Sequence, residues 1–273
     1  MKKPKKEHLE TSQENDASDP FAPKNDDVIE PFKPKEDGCT DSFEDSHRYG
    51  LTSMCKTEDR GCPTPHNQSS LDLVLNSPDG FIPLWKKNSV LNWRFNERSM
   101  SYFNNPEAGK LGIRKLLPEA LRAWGDSLPI KFREVTNNWD FEIYMNSQDI
   151  CDRNGACVLA SAFFPDQGRH YLQIYPKMFS QIRKEQVDTL IHETGHMFGL
   201  RHFFANVSET AYPSEIFGTH KPFTIMNYGS NSELTAEDKS DLKNLYSSAW
   251  SGVLSAINGT PIAFVRPYHN LMS

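Results

Sequence analysis

The sequence predicts one α/β (α+β) domain over residues 81–250, and three observations carry that prediction. Apolar and polar residues alternate in a series of short segments, the two-residue period of a strand. Three longer segments instead place apolar residues at helical spacing. The order is strand, helix, several strands, helix, irregular loop, helix, which suits helices packed on a sheet.

Each element has its own signal. Residues 1–45 are rich in Lys, Glu, Asp and Pro and poor in large apolar side chains. Such a segment buries too little surface to offset its ordering entropy and reads as a disordered polar leader. Residues 46–80 stay polar but carry Cys55 and Cys62, and read as a loosely structured prosegment. The character changes at "FIPLWKKNSVLNWRF" (81–95), where "SVLNWRF" alternates as a strand. "PEAGKLGIRKLLPEALRAWGDSL" (106–128) spaces Ile113, Leu116, Leu117, Ala120, Leu121 and Trp124 along a helix, with Pro118 expected to kink or interrupt it. "IKFREV" (130–135), "DFEIYM" (140–145), "CVLASAFFP" (157–165) and "HYLQIYP" (170–176) read as strands. "RKEQVDTLIHETGHMFGL" (183–200) and "SELTAEDKSDLKNLYSSAW" (232–250) read as helices, the second capped by Ser232 or Thr235. Residues 251–273 form a tail whose "PIAFV" can add a short strand.

The net charge of -6 over 273 residues argues against a general nucleic-acid binder, which needs a basic face. No run approaches the roughly 18 apolar residues of a membrane helix, and no apolar stretch follows the basic "MKKPKKEHLE" to make a signal peptide. Five cysteines leave at least one thiol unpaired within a monomer, the oligomeric state expected here. Cys151 and Cys157 bracket "CDRNGAC", where Asn-Gly can turn the chain back so that the sulfurs meet. A disulfide there implies an oxidising compartment, extracellular or in the cell envelope.

The strongest signal is "LIHETGHMFGLRH" (190–202), which reads His-Glu-x-x-His-x-x-Gly-x-x-His. His192 and His196 sit one helical turn apart, so their imidazoles can converge on one ion. Glu193, next to His192, is placed to take a proton from an attacking water. Gly199 lets the chain leave the helix with positive φ, which brings His202 back as a third ligand. Three nitrogen ligands leave the fourth position of a tetrahedral zinc open, as a catalytic site requires. Five fixed positions match by accident in roughly one chain in 10⁴ of this length, so histidines on a solvated face are a poor explanation.

This pattern resembles the metzincin zinc endopeptidases, whose signature continues into a Met-turn. "TIMNYG" (224–229) supplies the second half and offers Met226. Tyr228, two residues on, resembles the astacin and serralysin branches, where the tyrosine binds zinc or steadies the oxyanion; the other reading is an aromatic packed in the turn. The remainder is similar to the matrixins. "LPIKFREV" and "WDFEIYM" resemble their second and third strands, "LASAFFP" their substrate-binding edge strand, and "LTAEDKSDLKNLY" their C-terminal helix. The likeness implies a twisted, mostly parallel sheet with an antiparallel edge strand, an active-site helix, a Met-turn and a C-terminal helix. It also implies that the backbone of Leu159, Ala160 and Ser161 pairs with an extended peptide.

The sequence also departs from the matrixins. They carry a histidine where Ser161 stands, with a nearby His-x-Asp, for a second zinc; neither is present. His170 is a weak ligand by itself. The expectation is one catalytic Zn2+, with Ca2+ left open. "RGCPTP" (60–65) puts Cys62 where matrixin prosegments hold a zinc-blocking cysteine, but the order around it is scrambled. Cys62 is either such a latency switch or a disulfide partner for Cys39 or Cys55. The implied function is a secreted zinc endopeptidase, made as a latent zymogen, with Glu193 as general base and acid. A binding module that has lost catalysis is the alternative, and the intact Glu193 and histidines speak against it. The loop 203–225, rich in aromatics, suggests an apolar pocket beside the metal.

Overall fold

The computed structural model describes residues 53–54, 73–76, 80–153, 155–202, 214–217, 224–226 and 232–271. Residues 1–45, Cys55, Cys62 and Tyr228 lie outside the described residues.

The strands, in chain order, are β1 (Ser53–Met54), β2 (Leu73–Asn76), β3 (Ile82–Trp85), β4 (Val90–Phe95), β5 (Lys131–Glu134), β6 (Phe141–Met145), β7 (Cys157–Val158), β8 (Ala160–Ser161), β9 (His170–Ile174), β10 (Ser214–Phe217), β11 (Ala256–Ile257) and β12 (Thr260–Val265). The helices are α1 (Glu97–Met100), α2 (Pro106–Trp124), α3 (Pro176–Phe179), α4 (Arg183–Met197) and α5 (Ala236–Trp250).

The main sheet has the order β5-β4-β6-β9-β8. β4 pairs in parallel with β5 and β6, and β6 with β9, while β8 runs antiparallel to β9. The mostly parallel sheet with an antiparallel edge is thus present. The single strand read at 157–165 is instead two short ones: β7 pairs with β1, and β8 with β9. Leu159 between them turns its carbonyl to the Tyr175 N–H at 3.0 Å. A disulfide joins Cys151 to Cys157, as the sequence led us to expect.

Pro118 does not break α2, which runs unbroken over 19 residues. Proline lacks the N–H that would reach the carbonyl of Arg114, and Arg114 is exposed, so water can serve that oxygen. Asn105 caps the helix start through its side chain, with Pro106 at the first turn. The buried face of α2, including Ile113, Leu117 and Trp124, joins the same core as Leu190 and Met197 of α4. Helix α5 begins at Ala236, and of the two proposed caps Thr235 holds it, in a reciprocal capping box with Asp238.

The tail strand expected at "PIAFV" is present as β12, but its pairing and that of β2 were not foreseen. "FIPLW" forms β3, and the tail strand β12 lies parallel to it with Val265 opposite Trp85. β2 pairs antiparallel with β10, and its Leu75 is fully buried in the core and bridged to Leu200.

Candidate metal centre

Helix α4 supplies the first two histidines and ends just past them. Gly199 adopts φ +93°, a region that side-chain-bearing residues resist. Its N–H donates to the His196 carbonyl at 2.8 Å, and the Leu200 N–H donates to Gly195 at 3.1 Å. This pair of bonds is the Schellman ending, which stops the helix at Met197 and reverses the chain. The reversal returns His202 to the helix. His192 Nε2 lies 3.0 Å from His202 Nε2 and 3.2 Å from His196 Nε2. All three side chains are buried.

The other nitrogen of each helical histidine is also fixed. His192 Nδ1 is 2.7 Å from the Ile225 carbonyl, and His196 Nδ1 is 2.7 Å from the Leu200 carbonyl. A carbonyl only accepts, so each Nδ1 carries the proton and each Nε2 presents a bare lone pair. Burial, reinforced by neighbouring His202, pushes the His192 pKa down to about 3. Burial, then His192 and His202, hold His196 well below its ordinary value. Both rings are therefore neutral at pH 7. Lone pairs 3.2 Å apart repel unless a cation lies between them.

Beneath the histidines sits Met226, 2% exposed. A Cβ placed on Gly195 would meet its Sδ at 2.5 Å, so the turn reaches this close only because residue 195 is glycine. Thr224, two residues earlier, donates its hydroxyl to Asp238 of the α5 capping box, which ties the Met-turn to that helix. Thr194, to which the sequence gave no role, accepts from Trp124 Nε1 at 3.0 Å and donates to Ile191 at 2.9 Å. Glu193 is buried beside His192 on α4. Ala160 and Ser161 stand on the edge strand of the sheet, following Leu159. His170 faces Asp166 and stacks on Phe163, and it is not part of the converging histidine group. Among the described residues, His192, His196 and His202 form the one group of three or more His, Cys, Asp or Glu side chains with converging ligand atoms. Ca2+, left open by the sequence, gains no support here.

Residues 84–247 match the family model for matrixin. The chain belongs to the matrixin family. The matched segment is a zinc metalloendopeptidase domain. The chain is 26% identical to stromelysin-3 of Xenopus laevis over 151 residues, which is 51% of this chain and 29% of that protein. It is 27% identical to stromelysin-3 of Homo sapiens over 155 residues, 52% of this chain and 29% of that protein. The chain thus spans under a third of the length of these relatives. Among solved structures, myroilysin aligns with a TM-score of 0.41 at 16% identity, covering 63% of this chain and 98% of that one.

The histidines of this matrixin domain fit zinc. Nitrogens at 2.0–2.1 Å on a tetrahedral ion stand about 3.3 Å apart, close to the spacing found here. The second nitrogens of His192 and His196 are each held by a carbonyl, the arrangement that zinc-binding histidines use. No helix among the described residues is long and apolar enough to cross a membrane.

Sequence reading did not single out two residues that donate to the carbonyls at the exit of α4. Trp85 Nε1 donates to the Met197 carbonyl at 2.6 Å, and the Tyr246 hydroxyl donates to the Phe198 carbonyl at 3.0 Å. Trp85 was visible only as an aromatic in "FIPLW". Tyr246 was visible as a hydroxyl-bearing ring at a buried position of α5, and such a hydroxyl usually has a partner.

Proposed function

We propose that this chain hydrolyses peptide bonds as an endopeptidase, with His192, His196 and His202 as ligands of one Zn2+ and Glu193 as general base and acid. The observation that carries the reading is the convergence of three buried imidazoles, two with their tautomers fixed, beside a buried glutamate. Zinc held there would polarise the scissile carbonyl and make water more acidic. Glu193 would accept the proton of the attacking water on its carboxylate and pass it to the leaving amine. The backbone of Leu159, Ala160 and Ser161 would hold the substrate extended, by strand addition at the sheet edge. Met226 packs beneath the ligands. Tyr228, following the Met-turn, would steady the oxyanion.

A latent form is a compatible second reading, favoured by two pairings. β1 lies on β7, directly before the proposed substrate strand, and β2 lies on β10, between His202 and Met226 in the chain. Leader segments thus border both sides of the chain around the centre, and Cys62, between β1 and β2 in sequence, would block the zinc. The Cys151–Cys157 disulfide supports secretion.

The test measures zinc content and cleavage of a peptide library for wild type and Glu193→Ala side by side. One zinc in both with cleavage in wild type alone supports the assignment. Substantial turnover by Glu193→Ala refutes the general base. Absence of zinc from both refutes the ligand set. One zinc without cleavage moves the test to Cys62→Ala, and that variant being no more active than the parent counts against the switch.

A further inference from the structure

We propose that Trp85 and Tyr246 are positioning residues for the third histidine, a brace fed by strand β12 from beyond the matrixin match. The inference rests on the ligand reading of His192, His196 and His202. A helix leaves its last carbonyls without partners inside the helix. At the end of α4 the Schellman turn takes the Gly195 and His196 carbonyls, and Phe198 N–H reaches Thr194. The Met197 and Phe198 carbonyls are taken from elsewhere in the fold, by Trp85 Nε1 at 2.6 Å and the Tyr246 hydroxyl at 3.0 Å.

The two donors are themselves locked. The Tyr246 oxygen also accepts the Trp85 backbone N–H at 3.4 Å, and Trp250 Nε1 donates to the Trp85 carbonyl at 2.9 Å. On its other side Trp85 faces Val265 of β12, whose carbonyl accepts the Lys86 N–H at 2.9 Å. Trp85 and Tyr246 are each 1% exposed, so neither hydrogen bond competes with bulk water. Residues 250 and 260–265 lie past the matched segment, which ends at 247.

The geometry assigns this network to one ligand in particular. His192 and His196 ride on the helix, and their spacing is set by its own repeat. His202 reaches them only through the reversal at Phe198, Gly199 and Leu200. A rotation of the Met197 or Phe198 peptide would swing His202 away from the 3.0 Å approach to His192 and loosen the Leu200 carbonyl's hold on His196 Nδ1, while the helix keeps His192 and His196 one turn apart. Two side-chain donors on consecutive carbonyls prevent that rotation.

The test uses full-length, zinc-loaded protein and the variants Trp85→Phe and Tyr246→Phe, each of which removes a donor and keeps a ring. Zinc loss to an excess of chelator is followed together with Tm, and the visible spectrum is recorded after replacement by Co2+. Phe103→Leu serves as a control for ordinary core loosening, because Phe103 packs on Gly109 and Phe179. Each brace variant should release zinc about tenfold faster, the lower end of what outer partners of a metal ligand command, and should shift the Co2+ spectrum. Phe103→Leu at a matched Tm loss should do neither. Wild-type zinc release and spectrum in both brace variants overturn the proposal, as does zinc release that follows Tm alike in all three. If Trp85→Phe fails to fold, Tyr246→Phe carries the test by itself. A His202→Ala protein that keeps zinc as wild type does would overturn the ligand set, and the brace with it; failure of the brace variants alone leaves the ligand set standing.

Discussion

Replacing Gly195 by alanine should disturb the metal centre from below. The added Cβ would lie 2.5 Å from Met226 Sδ, 3.3 Å from its Cε and 3.6 Å from Trp124 Cζ2. Ordinary contacts between such atoms fall at about 3.5–4.0 Å, so the sulfur must retreat by about 1 Å. Met226 and Trp124 are buried in a densely packed core, which leaves little room. Overpacking of this kind costs about 1–3 kcal/mol, and the better helix propensity of alanine returns about 1 kcal/mol. The net loss, about 0–2 kcal/mol, lowers Tm by at most about 8 °C in a domain of this size. Stability is therefore the weaker readout and zinc affinity the stronger. Met226 adjoins Ile225, whose carbonyl holds His192 Nδ1 at 2.7 Å, and loss of such a partner costs about 10- to 100-fold in affinity. Competition with a graded chelator measures this directly. Adding Met226→Ala should recover part of the loss, with a coupling of about 1 kcal/mol or more. A Gly195→Ala protein that binds zinc as tightly as wild type would show that the Met-turn is not seated through this contact.

Other outcomes follow from the same structure. In metal-free protein, burial pushes the His192 pKa down to about 3 in the folded state, against the ordinary value of about 6.5 when unfolded, and His196 is lowered likewise. The unfolded chain thus binds more protons, and stability falls as pH drops below about 6.5, by up to about 1.4 kcal/mol per pH unit for each histidine. Melts of chelated protein at pH 7 and pH 5 with equal Tm would contradict this. Leu75→Ala, in a fully buried leader strand, should cost about 2–5 kcal/mol in denaturant unfolding; a cost under about 0.5 kcal/mol would mean that β2 does not belong to the core. Removing the Cys151–Cys157 disulfide with a double alanine variant frees a short loop and should cost about 2 kcal/mol, measured as a fall in the same midpoint.

What the sequence disclosed follows from the range over which each feature acts. His192, Glu193, His196, Gly199 and His202 lie within one helix and its exit, so their relation is set by the helical repeat and by one positive-φ glycine. The strands of the main sheet showed through the alternation of apolar and polar residues, although burial follows it only in part: β5 has no buried residue and β6 is buried on both faces. β3 lacked that signal because all four of its residues are buried, and a short apolar run has no period to read. The split of 157–165 was hidden because it depends on which neighbour each half pairs with, β1 or β9. The Trp85–Met197 and Tyr246–Phe198 bonds span 112 and 48 residues, beyond any local pattern.

The Met-turn shows how a legible residue differs from the one that does the chemistry. Met226 marks the turn in the sequence, yet in the structure its side chain fills space against Gly195. The group that acts on a proposed ligand is the carbonyl of Ile225, which fixes the proton of His192 on Nδ1 and frees Nε2. A backbone carbonyl carries no residue identity, so sequence can announce the turn and cannot say which atom matters. The same holds for Leu200, whose carbonyl fixes His196 and whose place is set by Gly199. Substitutions at Ile225 and Leu200 that keep their bulk should therefore leave the histidines undisturbed, because packing is all the side chains contribute. Substitutions at Gly195 and Gly199, which decide where those carbonyls point, should instead weaken zinc binding.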